Sequence, residues 1–252
     1  MLPVFAPQLY AQGGHAKDNV LFPKPIPIPF YIGLEAGYGN WTDKGYFGVG
    51  DGTYAPCALF DNGSGHGYTF GAKAMYYFNT WLFLSPRVRY EGRPGTFKTT
   101  LPGDPVRDAN DSIVTLRENG EVRANFATCA ADLNVGVEFF KTGIYVFGGG
   151  SGGLLLDGYY DYYQSIADGQ AFTYGDSKGT SHKLISGRSF PTYKRTTFAL
   201  RGGAGFLLKI GRVIVNPEFF YSSPLNSVLG SPEEMKQTGI VGTMGIMYNF
   251  GD

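Results

Sequence analysis

Residues 238–252 read TGIVGTMGIMYNFGD, and their side chains alternate between two faces. One face carries Ile240, Met244, Ile246, Tyr248 and Phe250, whereas the other is richer in small and polar residues. An apolar residue at every second position is typical of a β-strand with one apolar face. The stretch predicts a strand that finishes in aromatic residues, which is unusual for the frayed last strand of a soluble protein.

The composition of the whole chain also favours β-structure. Of its 252 residues, 38 are glycine, 20 are phenylalanine and 18 are tyrosine, and only 17% are charged. Ordinary soluble domains have about 25% charged residues, and aromatic residues favour strands. The formal net charge is zero, so no nucleic-acid partner is expected. No apolar run reaches the roughly 18 residues of a transmembrane helix, but transmembrane strands leave no such run.

The alternation of the last segment recurs along the chain and predicts about eight strands. The strands predicted before the last one are 30–41, 67–78, 82–90, 129–140, 144–156, 198–208 and 213–221. The two faces of 144–156 cannot be assigned. Strands of this length match the roughly 9–11 residues that a tilted strand needs to cross a bilayer.

The connections between these strands alternate in length. The short ones are predicted at 78–81, 140–143 and 209–212, and the long ones at 42–66, 92–122, 157–196 and 222–237. Short periplasmic turns that alternate with long extracellular loops are typical of a closed, antiparallel, up-and-down transmembrane β-barrel. The sequence therefore predicts an all-β outer-membrane barrel.

The strand faces opposite the apolar ones carry four basic and four acidic residues. They are Glu35, Lys73, Arg87, Arg89, Asp132, Glu138, Arg201 and Glu218. An eight-stranded barrel has an interior only just wide enough for side chains, so a soluble barrel would have to crowd its many aromatic residues inside. We expect the apolar face to contact lipid and the charged residues to pair within a plugged lumen, because unpaired buried charge is costly.

Aromatic residues also gather beside the short turns, where an interfacial girdle is expected of a membrane barrel. The predicted girdle consists of Tyr31, Tyr76, Phe78, Trp81, Phe139, Phe140, Tyr145, Tyr248 and Phe250.

In these features residues 30–250 resemble the small OmpA-type outer-membrane β-barrel proteins of Gram-negative bacteria. Thr243, Gly245, Tyr248 and Phe250 fit the family's C-terminal assembly signal, although Gly251 and Asp252 follow where the family usually stops. The resemblance implies a location in the bacterial outer membrane, contact with its lipid, and assembly by the barrel-assembly machinery.

Two smaller features lie outside this pattern. Residues 1–29 are interpreted as a signal-peptide remnant followed by a Pro-rich segment, which leaves 30–252 as the barrel domain. Cys57 and Cys129 could form one surface disulfide, or remain unpaired.

No catalytic residue, metal site or cofactor is expected. The glycines of GGGSGG (148–153) precede strand and loop sequence instead of the helix that a dinucleotide site or a nucleophile elbow needs. The histidines lack metal-ligand spacing. Ser64, His66 and His182 lie in predicted outer loops, so an enzyme at the barrel rim is a minor alternative.

The sequence therefore favours a structural or loop-displaying surface protein. Residues 157–195 mix tyrosine with polar and basic residues and could contact a protein or surface partner. A small porin or ligand channel is the alternative. It would need more strands, ten if the long loops contain a further hairpin such as 112–126.

Overall fold

The computed structural model describes residues 30–49, 59–108, 110–140, 142–167, 170, 172–174, 179–190 and 192–250. Residues 1–29 and Cys57 lie outside this part of the chain. Among the described residues, no helix is long and apolar enough to span a membrane. The strands are Phe30–Gly48 (β1), Leu59–Tyr77 (β2), Leu82–Thr100 (β3), Asp104–Arg107 (β4), Ile113–Leu116 (β5), Glu118–Glu138 (β6), Ile144–Ile166 (β7), Ser181–Ser189 (β8), Thr196–Phe206 (β9), Leu208–Ile210 (β10), Val213–Pro224 (β11) and Glu234–Asn249 (β12).

Eight of these strands form a closed antiparallel ring in the order β1-β2-β3-β6-β7-β9-β11-β12. The last strand pairs back onto the first over sixteen residue pairs, from Tyr31 opposite Asn249 to Tyr46 opposite Glu234. This pairing leaves no free edge in the ring. The predicted closed barrel of about eight strands is confirmed, and the ten-stranded alternative is wrong.

The other four strands are shorter. β4 and β5 form a small separate hairpin. β8 pairs with β7 beyond the residues that pair with β9, and β10 continues β9 along β11 in the same register after Leu207. The hairpin predicted within 112–126 is wrong, because β5 pairs with β4 whereas residues 118–126 extend β6 between β3 and β7.

The predicted short turns lie at one end of the barrel, called here the short-turn end. The Asn79 side chain accepts hydrogen bonds from the backbone nitrogens of Trp81 and Leu82, at 2.9 and 2.8 Å, and so holds the turn after β2. Gly211 supplies the left-handed conformation (φ 64°) in the turn before β11.

The long connections at the opposite end, the long-loop end, are shorter than predicted. β1 continues to Gly48, β3 to Thr100, β7 to Ile166 and β11 to Pro224. Much of 42–66, 92–122, 157–196 and 222–237 is therefore strand. β3 and β6 remain paired as far as Thr100 opposite Asn119.

The strand ends were predicted too early because the apolar and polar faces of the strands exchange sides along the barrel. Near the short-turn end the outward residues are apolar, such as Leu34 (71% exposed), and the inward ones are polar. Near the long-loop end the outward residues include Lys98 and Arg123, whereas Phe97 and Val122 point inward and are at most 1% exposed. The lower half has the surface of a membrane protein, and the upper half has that of a water-soluble barrel.

The interior is layered along the barrel. A lower apolar cluster fills the short-turn end and consists of Tyr31, Trp41, Met75, Tyr77, Phe83, Tyr145, Phe147, Leu207, Ile214, Phe220, Val241 and Met247. An upper apolar cluster fills the long-loop end and consists of Phe47, Val49, Phe60, Phe97, Val122, Ala124, Phe126, Leu155, Tyr160, Tyr162, Phe190, Val228, Leu229 and Met235. Charged side chains occupy the lumen among and between these clusters.

Candidate functional site

Glu218 on β11 is the carboxylate with the most partners in the lumen. It accepts two hydrogen bonds from the Arg87 guanidinium, at 2.6 and 2.9 Å, and it also bonds the Lys73 ammonium and the Tyr145 hydroxyl. Lys73 in turn lies 2.5 Å from the Asn216 side-chain oxygen. Strands β2, β3, β7 and β11 are thus connected across the barrel by one carboxylate.

A second group of charged residues extends the ion pairs of Glu218 further across the lumen. Glu35 on β1 lies 3.5 Å from Arg87 and 3.8 Å from Arg89, measured between side-chain nitrogen and oxygen atoms. Arg89 pairs with Asp132. Asp132 also accepts from Arg201 at 2.9 Å, so the contacts cross the barrel again from β3 to β6 and β9.

Two members of the network were missed in the sequence. Glu91 lies 2.9 Å from Arg201 and also pairs with Arg93. Both have the inward parity of Arg87 and Arg89, but the surrounding YEGRPG resembles the start of a loop. The lumen charge network of the described residues is thus Glu35, Lys73, Arg87, Arg89, Glu91, Arg93, Asp132, Arg201 and Glu218.

Glu138, the remaining one of the eight charged residues predicted for the lumen, is buried but lies apart from this network. Its carboxylate accepts hydrogen bonds from the Tyr77 hydroxyl at 2.7 Å and the Gly143 backbone nitrogen at 3.1 Å. The Lys209 ammonium lies 3.9 Å away. Glu138 therefore fastens the turn between β6 and β7 at the short-turn end.

Aromatic rings pack the guanidinium groups from the side. Arg87 lies 4.7 Å from the Phe147 ring centroid, and Arg93 lies 4.4 Å from that of Trp41. The Trp41 ring fits because Gly67 and Gly239 face it, where a Cβ atom would collide with the indole. Cations over aromatic faces are attracted by the ring quadrupole, so the lumen is filled by alternating charges and rings.

The long-loop end is closed over this network by Phe190. This residue follows β8, is 3% exposed, and stacks on Phe126 at 5.2 Å while contacting Tyr160 at 4.9 Å and Phe47 at 5.7 Å between ring centroids. The part of 157–195 nearest the barrel mouth thus contributes an aromatic side chain to the upper apolar cluster.

Asp43 is a buried carboxyl at this upper level, above the membrane-spanning part of β1, whose outward residues at this height are Thr42 and Lys44. Burial raises its pKa to about 6, although Gln237 and Arg93 partly oppose the shift.

The predicted aromatic girdle is partly correct. Tyr76, Phe78, Trp81, Phe139, Phe140, Tyr248 and Phe250 point outward beside the short turns. Tyr31 and Tyr145 do not belong to it, because they are at most 3% exposed and pack inside the barrel. Their inward parity, shared with Glu35 and with Phe147, places them there.

The terminal strand has the faces that its alternation predicts. Thr243 and Gly245 are buried inside the barrel, whereas Tyr248 and Phe250 are 38% and 61% exposed on the outside. The backbone nitrogen of Phe250 donates to the Phe30 carbonyl at 2.8 Å, so pairing with β1 extends to the aromatic end.

The candidate residues of a rim enzyme are not brought together. Ser64 and His66 lie on the outside of β2, where His66 stacks on Tyr38 at 5.8 Å. His182 lies on β8, and strands β3, β6 and β7 separate it from β2. Cys129 is half-buried on the outer face of β6 and forms no disulfide with a described residue.

The sequence matches no protein-family model and no curated protein. Among solved structures, the outer membrane protein AlkL has a TM-score of 0.43 and 11% identity, over 96% of this chain and 97% of AlkL. OprG of Pseudomonas aeruginosa has a TM-score of 0.38 and 17% identity, over 90% and 98% of the two chains. Ail of Yersinia pestis has a TM-score of 0.33 and 12% identity, over 88% and 99%.

The architecture follows from the chain's own geometry. A ring of strands without edges, an outward apolar band with interfacial aromatic residues and an inward polar network are the features that a bilayer imposes on a β-protein. The outward band includes Leu34, Phe70, Val88, Leu133 and Ile246, each at least half exposed. The chain is a closed, eight-stranded antiparallel β-barrel whose outer surface has the features of a transmembrane protein.

Proposed function

We propose that this protein is a sealed outer-membrane barrel that acts as a structural element and presents its long-loop end at the cell surface. The observation that supports the sealed lumen is the charge network enclosed by apolar clusters. Lys73, Arg87, Arg89, Glu91 and Glu218 each have side chains at most 1% exposed. A barrel of eight strands has little interior space beyond its side chains.

A cavity between described residues supports the same proposal. Where Arg93, Ser151 and Gln237 meet near the barrel wall, a cavity of about 10 Å³ remains. That volume corresponds to roughly one water molecule. A small porin or ligand channel would require the network to rearrange, which makes it the weaker proposal.

The upper half of the barrel is the part offered to partners. It carries outward Tyr163 between Arg123 and Lys183, at 4.6 and 5.4 Å from the ring centroid. Asp161 lies 3.1 Å from Lys183, so charges and ring form a fixed surface. Rigid polar and aromatic surfaces suit recognition, and we propose that partners bind within 157–195.

We further propose that the barrel-assembly machinery recognises Thr243, Gly245, Tyr248 and Phe250. We also propose that the protein is not an enzyme.

Ion flux into liposomes tests the sealed lumen. The purified barrel is reconstituted and the release of trapped potassium is compared with that of protein-free liposomes. We expect equal rates. A variant with Arg87, Arg89 and Glu218 all replaced by alanine should leak if it folds. Steady flux through the wild-type barrel at the rate of an open channel would overturn the proposal.

Labelling of intact cells tests which end faces outward. A membrane-impermeant amine reagent is expected to modify Lys98 and Lys183 at the long-loop end. Lys209 at the short-turn end, whose side chain is 48% exposed, should react only after the outer membrane is opened. The reverse pattern would refute the proposed orientation.

A further inference from the structure

A cleft of about 340 Å³ lies on the outside of the barrel near the long-loop end, and Tyr46, Lys194, Leu225 and Lys236 belong to its lining. Ile240 is the last apolar outward residue of β12, and Lys236 lies four residues above it. A strand rises about 3.3 Å per residue and is tilted by roughly 40° in such barrels. The cleft therefore begins about 10 Å above the apolar band and opens to water. Its volume falls in the range of about 300–1,000 Å³ that small-ligand sites occupy.

The connection between β11 and β12 holds the lining of the cleft in place. Val228 and Leu229 are buried in the upper apolar cluster, and the backbone nitrogen of Lys194 donates to the Val228 carbonyl at 2.8 Å. The Ser227 hydroxyl oxygen accepts from the backbone nitrogens of Leu229 and Met235, at 3.1 and 2.9 Å. A lining that is already fixed loses little conformational freedom when a ligand binds.

Two exposed apolar side chains form one part of the lining. Tyr46 is 52% exposed and Leu225 is 59% exposed. Tyrosine offers a rigid apolar ring together with a polar hydroxyl, and Glu234 lies directly opposite Tyr46 in the pairing of β1 with β12. The C–H groups on one face of a sugar ring match such an apolar surface with polar groups at its edge.

The polar part of the lining is balanced in charge. It contains two lysines, Lys194 and Lys236, and two glutamates, Glu233 and Glu234. Glu234 lies 3.1 Å from Lys236, and Glu233 accepts a hydrogen bond from the Thr192 hydroxyl at 2.8 Å. An ionic ligand would meet charges of both signs, whereas a neutral hydroxyl group both donates and accepts hydrogen bonds. The charges therefore favour a neutral ligand rich in hydroxyl groups.

We propose that this cleft binds a neutral sugar unit of a glycan outside the cell. The C–H face of the sugar lies against Tyr46 and Leu225, while its hydroxyl groups donate to the two glutamates and accept from the two lysines. This inference rests on the proposed function, because it assigns a partner class to the long-loop end and because Lys194 belongs to the segment 157–195.

The test is the binding of the full-length barrel, in a polyoxyethylene detergent that has no sugar headgroup, to a printed array of neutral and acidic oligosaccharides. We expect at least one neutral oligosaccharide to bind. Titration with that oligosaccharide should show affinity falling about tenfold in Tyr46→Ala, because an aromatic contact is lost. Leu225→Ser should lower the affinity about fivefold, because apolar surface is lost. Both positions are exposed, and the heat-dependent shift in gel mobility checks that each variant is folded.

The matched control is Tyr159→Ala. Tyr159 is also an outward tyrosine, 39% exposed, but it lies on β7, which strands β2, β3 and β6 separate from β1. This variant should change the affinity by less than about twofold.

A salt series identifies the class of ligand. Raising sodium chloride from about 50 to about 500 mM should change the affinity by less than about twofold, because screening weakens only interactions between charges. Binding restricted to acidic oligosaccharides, binding to none, unchanged affinity in Tyr46→Ala, or an equal loss in Tyr159→Ala would overturn the proposal. Because these measurements use the barrel in detergent, their failure is separate from that of the flux and cell-labelling experiments.

Discussion

Replacing Glu218 by glutamine removes the carboxylate that Lys73 and Arg87 share. The side chains of all three residues are at most 1% exposed, so the two cations would lose their nearest counter-charge without gaining water. Breaking a buried ion pair by removing one partner costs about 3–5 kcal/mol. We expect Glu218→Gln to lower the free energy of unfolding by this amount, because Glu35, at 3.5 Å from Arg87, compensates only partly.

Urea unfolding in lipid vesicles, followed by tryptophan fluorescence and by the heat-dependent shift in gel mobility, measures this change. The control is Glu121→Gln, which makes the same substitution in a glutamate on the outer surface, where Arg123 lies 2.6 Å away. Exposed ion pairs contribute at most about 1 kcal/mol, so the control should unfold at nearly the wild-type urea concentration.

A double-mutant cycle separates pairing from packing. Lys73→Met leaves Glu218 with both Arg87 hydrogen bonds, and we expect it to cost less than Glu218→Gln. The double variant should cost at least about 1 kcal/mol less than the sum of the two single variants, because neighbouring charges couple. Additive effects, or a loss below about 1 kcal/mol for Glu218→Gln, would refute the account of the lumen as a paired charge network.

Three further outcomes are expected, each measured as the free energy of unfolding. Phe190→Ala should cost about 3–5 kcal/mol by leaving a cavity in the upper apolar cluster, and a loss below about 1 kcal/mol would mean that this ring does not close the barrel. Burial raises the pKa of Asp43 to about 6, above about 3.9 in the unfolded chain. Between these values the folded state binds a proton that the unfolded state has lost, so wild-type stability should fall as the pH rises from 4 to 6. Asp43→Asn should abolish this pH dependence, and a persisting slope would assign it elsewhere. Leu34→Arg, on the lipid face, should cost about 2–4 kcal/mol, whereas Thr42→Arg, above the band, should cost little; equal costs would contradict the position of the membrane.

The strand faces in the lower half could be predicted from the sequence because one rule holds there. Lys73, Arg87 and Arg201 alternate with apolar residues, and all three point into the lumen. The same rule located the terminal strand with Tyr248 outside. In each case the bilayer demands an apolar outward face, so the alternation has one interpretation.

The strand ends could not be predicted because the residues still alternate there, but the polar residues now point outward and the apolar residues inward. Outward Thr42 and Lys44 resemble a loop in a membrane protein, yet inward Phe47 continues the strand into the upper apolar cluster. Residues 144–156 were ambiguous for a different reason. Glycines occupy both faces of β7, and an extra residue near Leu156 shifts its register with β6, so no single parity describes it.

The local sequence pattern could not predict which charged residues on distant strands contact each other. Glu91 and Arg93 share the parity of Arg89, but adjacent glycine and proline indicated a turn. Glu138 has the correct parity, but its distance from Glu218 depends on the height at which β6 crosses the barrel. Register across the ring sets those heights, and only the assembled sheet specifies it.

We expect the barrel to span the membrane with its lower half and to continue into water as a packed barrel. Nitroxide labels at positions 34, 98 and 122, each introduced by cysteine substitution in a Cys57→Ser/Cys129→Ser background, test it by electron paramagnetic resonance. Oxygen should relax the label at 34, a water-soluble nickel chelate should relax the label at 98, and neither should reach the label at 122. Strong relaxation by oxygen at 98, or by the nickel chelate at 122, would contradict it.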